Sequence, residues 1–208
     1  MNRFGIRKQA RNVAYRTVLL GITLLVALAV ADCSSSPSDQ VPLKIIIYTD
    51  FQCGACARFS SEVEPELRSR YADTNKAQIE IRLLAAEGDD SLRAAVAALC
   101  AGDQGRFTDY HDALFDAWRD NNEDPETFSI DKLVALATSL GLDAPAFRSC
   151  LESGHKGSQV EVNMALARAD GVQTLPALLA GNARVEGYKP LDVYLNAVDQ
   201  ALKESRLA

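Results

Sequence analysis

Apolar and polar positions fall into three regimes along the chain. LKIIIYTD (43–50) is a compact β-branched run, the pattern of a short buried strand. Beyond it, Phe59, Val63, Leu67 and Tyr71 recur at a spacing of four and share one helical face. Pro65 lies inside that pattern and is expected to kink or reset the helix. AQIEIRLLA (77–85) first alternates and then becomes continuously apolar, which predicts a second strand. A strand, helix and strand in so short a span favour parallel pairing through a right-handed crossover.

From Asp89 to about Asp170 the strand signal fades and helical faces recur. Leu92, Ala95, Val96 and Leu99 form one such face, Phe107, Tyr110, His111, Leu114 and Trp118 a second, and Ile130, Leu133, Val134 and Ala137 a third. Gly141, Asp143 and Pro145 punctuate the approach to a helix carrying Phe147, Cys150 and Leu151, and SQVEVNMALARAD follows. Strand character returns at LPALLA (175–180), where Gly181-Asn182 supplies a tight turn and ARVEG the returning strand of an antiparallel hairpin. Leu191, Tyr194, Leu195, Val198 and Leu202 then share the face of a closing helix with Pro190 in its first turn. The order predicts an α/β domain built from residues 43–88 and 171–208, interrupted by an all-helical insertion at 89–170.

The first residues need a separate reading. Arg3, Arg7, Lys8, Arg11 and Arg16 precede TVLLGITLLVALAVA (17–31), an uncharged run too short for an ordinary membrane span. A basic segment followed by such a run is the pattern of an export signal, so residues 1–33 are expected to be a signal peptide or lipoprotein signal and 34–42 a linker. Cys33 stands where a lipoprotein cysteine would be acylated, which would tether the chain to a membrane, although Asp32 replaces the small residue usual before it. Cleavage after Ala29-Val30-Ala31, leaving Cys33 free, and an uncleaved anchor are the alternatives. Export implies the bacterial cell envelope and an oxidising compartment.

Composition narrows the partners. With 48% hydrophobic and 24% charged residues over 208 positions, the chain can bury a substantial core. Beyond residue 33 it carries 17 basic against 27 acidic side chains, a balance of −10. That balance offers no electrostatic footprint for nucleic acid or anionic lipid.

Cys53 and Cys56 flank Gly54-Ala55 where the first strand gives way to a helix. Backbone N–H groups at a helix start lack intrahelical partners and the helix dipole is positive there, so a cysteine at that point is favoured as thiolate. Two-residue spacing lets the second thiol attack a mixed disulfide on the first. Cys53 is then the nucleophile and Cys56 the resolving thiol. Half of a metal site and two inert core thiols are the competing readings. Zinc needs four ligands, and Cys33, Cys100, Cys150, His111 and His155 supply no second pair at ligand spacing. The expectation is therefore a redox pair with neither metal nor organic cofactor.

YTDFQCGAC (48–56) resembles the strand-to-helix junction of DsbA-like thiol-disulfide oxidoreductases of the thioredoxin superfamily. GVQTLPALLAGNARVEGYKP (171–190) is similar to their segment of cis-proline, hairpin and final helix, and LCAGDQGRFTDYHDALF (99–115) and FRSCLESG (147–154) are similar to their helical insertion. The resemblance implies a thioredoxin fold with an inserted helical domain. It implies disulfide exchange with cysteine-containing exported proteins, and a membrane redox partner that resets the pair. It further makes Pro176 a cis-proline opposite Cys53, sets the backbone of Leu175 with Gly54 and Ala55 against substrate, and joins Cys100 to Cys150. Without it, Pro176 reads as an ordinary trans proline after an extended Leu175; for Cys100 and Cys150 the alternative to a bond is two buried free thiols.

Three features depart from the family. Gly54 stands where many members have proline. Leu175 is apolar, as in the oxidases, where reductases and isomerases often have threonine. Residues 85–91 lack the prolines usual there. A reductase or isomerase on the same fold, and a peptide-binding chaperone, remain the alternatives to a dithiol oxidase. Asp50 is expected to satisfy backbone donors at the strand end, and His111 to pack rather than carry protons.

Overall fold

The structure, a computed structural model, describes residues 42–207. The expected signal, its Cys33 and residues 34–41 of the linker lie outside the described residues.

β1 (Leu43–Thr49) is the run LKIIIYT, and it lies inside a four-stranded sheet of order β2-β1-β3-β4. β2 (Ala77–Leu83) pairs with it in parallel, Leu43 opposite Ala77 through Thr49 opposite Leu83. It stops two residues short of the expected end, because Leu84 N–H turns to the carbonyl of Thr49 (2.8 Å). β3 (Ala177–Ala180) runs antiparallel to β1, with Ile45 opposite Ala180 and Tyr48 opposite Ala177. β4 (Ala183–Glu186) completes the hairpin through a turn in which Gly181 adopts φ 54. The hairpin is as predicted, but β3 starts at Ala177 rather than Leu175, because Pro176 offers no N–H to a ladder; the Leu175-Pro176 peptide is cis.

Between the parallel strands, α1 (Gly54–Glu62) ends at Val63, and a four-residue helix, α2 (Glu64–Leu67), restarts with Pro65 in its first turn. A π-type turn (Arg68–Ala72) follows. This reset keeps Phe59, Val63, Leu67 and Tyr71 all at 4% exposure or less, facing Ile45, Ile47 and Leu178. α8 (Leu191–Ser205) closes the same core with Tyr194 and Val198; Pro190 caps this helix from just outside rather than standing in its first turn.

The region between β2 and β3 is helical. It comprises α3 (Asp89–Asp103), α4 (Phe107–Asp120), a 3-10 turn (Pro125–Phe128), α5 (Ile130–Ser139), α6 (Ala144–Ser153) and α7 (Gly157–Ala169). Asp143 caps α6 by accepting from Ala146 N–H (2.9 Å), with Pro145 in the first turn where a missing N–H costs nothing. Cys100 of α3 and Cys150 of α6 form a disulfide with Cα atoms 5.9 Å apart. The aromatic stripe of α4 is core: Tyr110 packs on Phe147, and Trp118 stacks on Phe128 at 5.0 Å. Phe51 and Cys56 belong to this second core, so the strand-to-helix junction is bedded on the helical region. Among the described residues, no helix is long and apolar enough to cross a membrane.

Candidate active site

The site begins where β1 ends. Asp50, fully buried, turns its carboxylate back on the chain: Oδ1 accepts from Gln52 N–H (2.8 Å) and Ser91 Oγ (2.7 Å), and Oδ2 from Ala86 N–H (2.6 Å). These contacts fix the loop that follows β2 and the start of α3 to the end of β1. The Asp50 carbonyl accepts from Cys53 N–H at 3.2 Å. Held this way, Cys53 takes an extended conformation (φ −83, ψ 109) and becomes the N-cap of α1, its Sγ accepting from Cys56 N–H at 3.2 Å. A cysteine therefore does what Ser or Asp does at other helix starts.

The two cysteines are unbonded and differ in environment. Cys53 is half-buried and Cys56 fully buried. The side chain of Cys56, hydrogen-bonded to Cys53, holds the Cys53 thiol below its ordinary value; burial works against this, the N–H groups of Cys56 and Ala55 reinforce it, and Asp50 opposes it. Burial pushes the Cys56 thiol far up, and its hydrogen bond to Cys53 adds to that. One sulfur is thus shifted toward thiolate within reach of solvent, and the other is shifted toward buried thiol.

The Leu175-Pro176 segment packs on the same core cluster as Cys53 through Leu175, with Pro176 buried. Glu186 anchors the approach to the cis peptide, its Oε2 accepting from Gln173 N–H and Thr174 N–H at 2.8 Å each. Pro176 O accepts from Gly187 N–H at 2.9 Å. The sequence reading missed the roles of Ser91 and Glu186; each is one polar residue in a patterned element, and only the tertiary fold shows what it holds.

His111 is buried among Phe51, Phe107 and Phe115, with ring centroids 5.0 to 5.7 Å away. Its Nδ1 lies 2.9 Å from Asp112 Oδ1, and Nε2 3.9 Å from Glu64. Glu64, His111 and Asp112 bring possible metal-ligand atoms within 4.8 Å of one another. Arg68 already occupies that space, 2.8 Å from Asp112 and 3.8 Å from Glu64, so the cluster is an ion-pair network rather than a cation site. Glu64 and Arg68 also border a cavity of about 420 Å³ lined by Ile79, Leu99 and Phe107, to which neither Cys53 nor Cys56 contributes.

A parallel β-α-β unit, an antiparallel hairpin and a closing helix, with a cysteine pair at a helix start and a cis-proline before the hairpin, define a thioredoxin fold. The chain belongs to the thioredoxin family, whose model, described as Thioredoxin, matches residues 38–200. Its similarity runs to DsbA-like members. It is 29% identical to a Rickettsia prowazekii protein provisionally named a protein-disulfide oxidoreductase, over 77% of this chain and 58% of that one; it thus spans little more than half the length of that relative. In structure it resembles a thioredoxin-like oxidoreductase from Silicibacter pomeroyi (TM-score 0.65, 24% identity, 79% of this chain and 88% of that one). It likewise resembles oxidised BdbD from Bacillus subtilis (TM-score 0.67, 21% identity, 80% and 90%).

Proposed function

We propose that the chain is an exported protein thiol-disulfide oxidoreductase that works as a dithiol oxidase through Cys53 and Cys56. The carrying observation is the asymmetry of the pair: Cys53 half-exposed at an N-cap and served by Cys56 N–H, Cys56 sealed in the core beneath it. In the oxidised protein a substrate thiolate attacks Cys53 Sγ. The Cys53–Cys56 bond breaks, Cys56 leaves with the electron pair and takes a proton, and a mixed disulfide joins the substrate to Cys53. A second substrate thiolate attacks the substrate sulfur, and Cys53 departs as thiolate. Substrate has lost two electrons and the pair has gained them; a membrane partner of the quinone-linked type would remove them again.

Direction follows from thiolate stability. A leaving group that is stable as thiolate leaves faster, and stabilising the reduced form makes the disulfide more oxidising. The lowered Cys53 pKa and the apolar Leu175 both support oxidase over reductase. In this reading the Leu175 backbone beside cis-Pro176 pairs with the substrate strand, Gly54 and Ala55 flank it, and Cys100–Cys150 is structural. The basic and apolar pattern of residues 1–33 supports delivery to the cell envelope, with Cys33 as a lipid tether.

The test is the equilibrium of the Cys53–Cys56 pair against glutathione buffers, followed by alkylation mass shift. An oxidase is expected to lie well above the thioredoxin potential of about −270 mV, toward about −120 mV. A thioredoxin-like value would reassign the chain as a reductase. A pair that never exchanges would leave only a peptide-binding role.

A further inference from the structure

Gly54 opens α1 with ordinary helical backbone, so its conformation does not call for glycine. Space does. A Cβ at Gly54 would lie 2.7 Å from Oε1 of Glu123, 3.4 Å from its Cδ and 3.5 Å from Oε2. The Glu123 carboxylate thus rests against the residue that follows Cys53, which is where many family members carry a proline ring.

The rest of the chain holds it there. Glu123 N–H donates to Trp118 O at 2.9 Å, and Trp118 is buried against Phe128. Asn122 and Glu123 lie in left-handed backbone, φ 53 and 59, a conformation uncommon for residues other than glycine. One turn back, Arg119 Nη1 donates to the carbonyl of Ala57 at 3.1 Å, tying this end of α4 to α1. The side chain itself is exposed and, among the described residues, pairs with no lysine or arginine. A carboxylate with no ion-pair partner among the described residues therefore lies against the residue that follows Cys53.

We propose that Glu123 is a specificity-determining residue of the exchange reaction, favouring cationic thiol partners and disfavouring anionic ones. This rests on the reading of Cys53 as the nucleophile. During attack on the oxidised pair, the incoming sulfur bonds to Cys53 Sγ while Cys56 leaves and is protonated, so any charge a few bonds from that sulfur enters the field over Gly54. Substrate segments with lysine or arginine beside the cysteine are the partners of matching chemistry.

The experiment uses the oxidised full chain at fixed pH and low salt, with cysteamine and mercaptoacetate as cationic and anionic probes in single-turnover reactions. The quantity read is the ratio of the two rates. Glu123→Gln is expected to reduce that ratio about fourfold, the size of two modest charge interactions at a solvent-exposed site. High salt should compress the wild-type ratio in the same direction. Gly54→Ala, which pushes the carboxylate off its seat, should also lower it. A change in Cys53 reactivity or in packing moves both rates together and divides out. A wild-type protein that reacts while Glu123→Gln leaves the ratio unmoved overturns this inference alone. A wild-type protein that reacts with neither thiol overturns the exchange reading and this inference with it.

Discussion

Asp50→Asn separates two roles that one buried carboxylate combines. The wild-type side chain accepts from Gln52 N–H, Ser91 Oγ and Ala86 N–H at 2.6 to 2.8 Å. An amide keeps one acceptor oxygen and turns its NH₂ against N–H or O–H donors at the other position. A hydrogen bond to a charged acceptor contributes about 1.5–3 kcal/mol, and a stranded buried donor costs about 1–3 kcal/mol. The expected loss of stability is about 3 kcal/mol, measured by urea unfolding of the oxidised protein. The same change removes the negative charge that opposes thiolate at Cys53. The Cys53 pKa, followed in the reduced protein by ultraviolet thiolate absorbance, should therefore fall while stability falls. A variant within about 0.5 kcal/mol of wild type, the range of ordinary surface changes, or a Cys53 that titrates higher, would refute this account of Asp50.

Three further outcomes follow. Replacing Cys100 and Cys150 together by alanine opens a loop with a sequence separation of 50 and should cost about 4 kcal/mol in urea unfolding; a loss below about 1 kcal/mol would show that the bond constrains little. Because the folded Cys53 pKa is lowered, its contribution to the reduced form is present above the unfolded thiol value of 9.0 and is lost as pH falls through the depressed value. The stability of reduced relative to oxidised protein should decline over that window, and a flat profile would contradict the shift. Burial raises the Glu64 pKa, with His111 and then Arg68 opposing, and neither carboxylate oxygen has a hydrogen-bond partner. Stability present below pH 4.5 should therefore be lost as pH rises through the raised value, and Glu64→Gln should flatten that slope; an unchanged slope would place the titration elsewhere.

Much of this arrangement was legible in the sequence because it rests on local patterns. A β-branched run is a strand in most contexts, four apolar residues at spacing four need one buried face, and Gly181-Asn182 between two short apolar runs makes a hairpin. Pro65 announced a reset, but the pattern did not show that the chain would break at Val63 and pass through a π-type turn, since apolar spacing is the same on either side. The cysteine pair was legible because strand, pair and helix are contiguous. What stayed hidden joins residues far apart. Glu64 was an ordinary polar residue beside Pro65 until folding set it against His111 and Arg68. Glu123 was a loop acid until the end of α4 laid it on Gly54. Ser91 meets the Asp50 carboxylate 41 residues away, and Glu186 holds backbone N–H groups 13 and 12 residues away. Periodicity reports which face is buried, not which distant donor a polar side chain will meet.

The central claim is that the Cys53–Cys56 disulfide is handed to a substrate. Oxidised full-length protein should be mixed with a reduced, unfolded substrate containing two cysteines, with no other oxidant present, then quenched with an alkylating agent and weighed intact. The account predicts one substrate disulfide for each Cys53–Cys56 disulfide lost, with Cys100–Cys150 unalkylated throughout and no transfer by Cys53→Ser. A substrate that stays fully reduced while Cys53–Cys56 remains closed would contradict it.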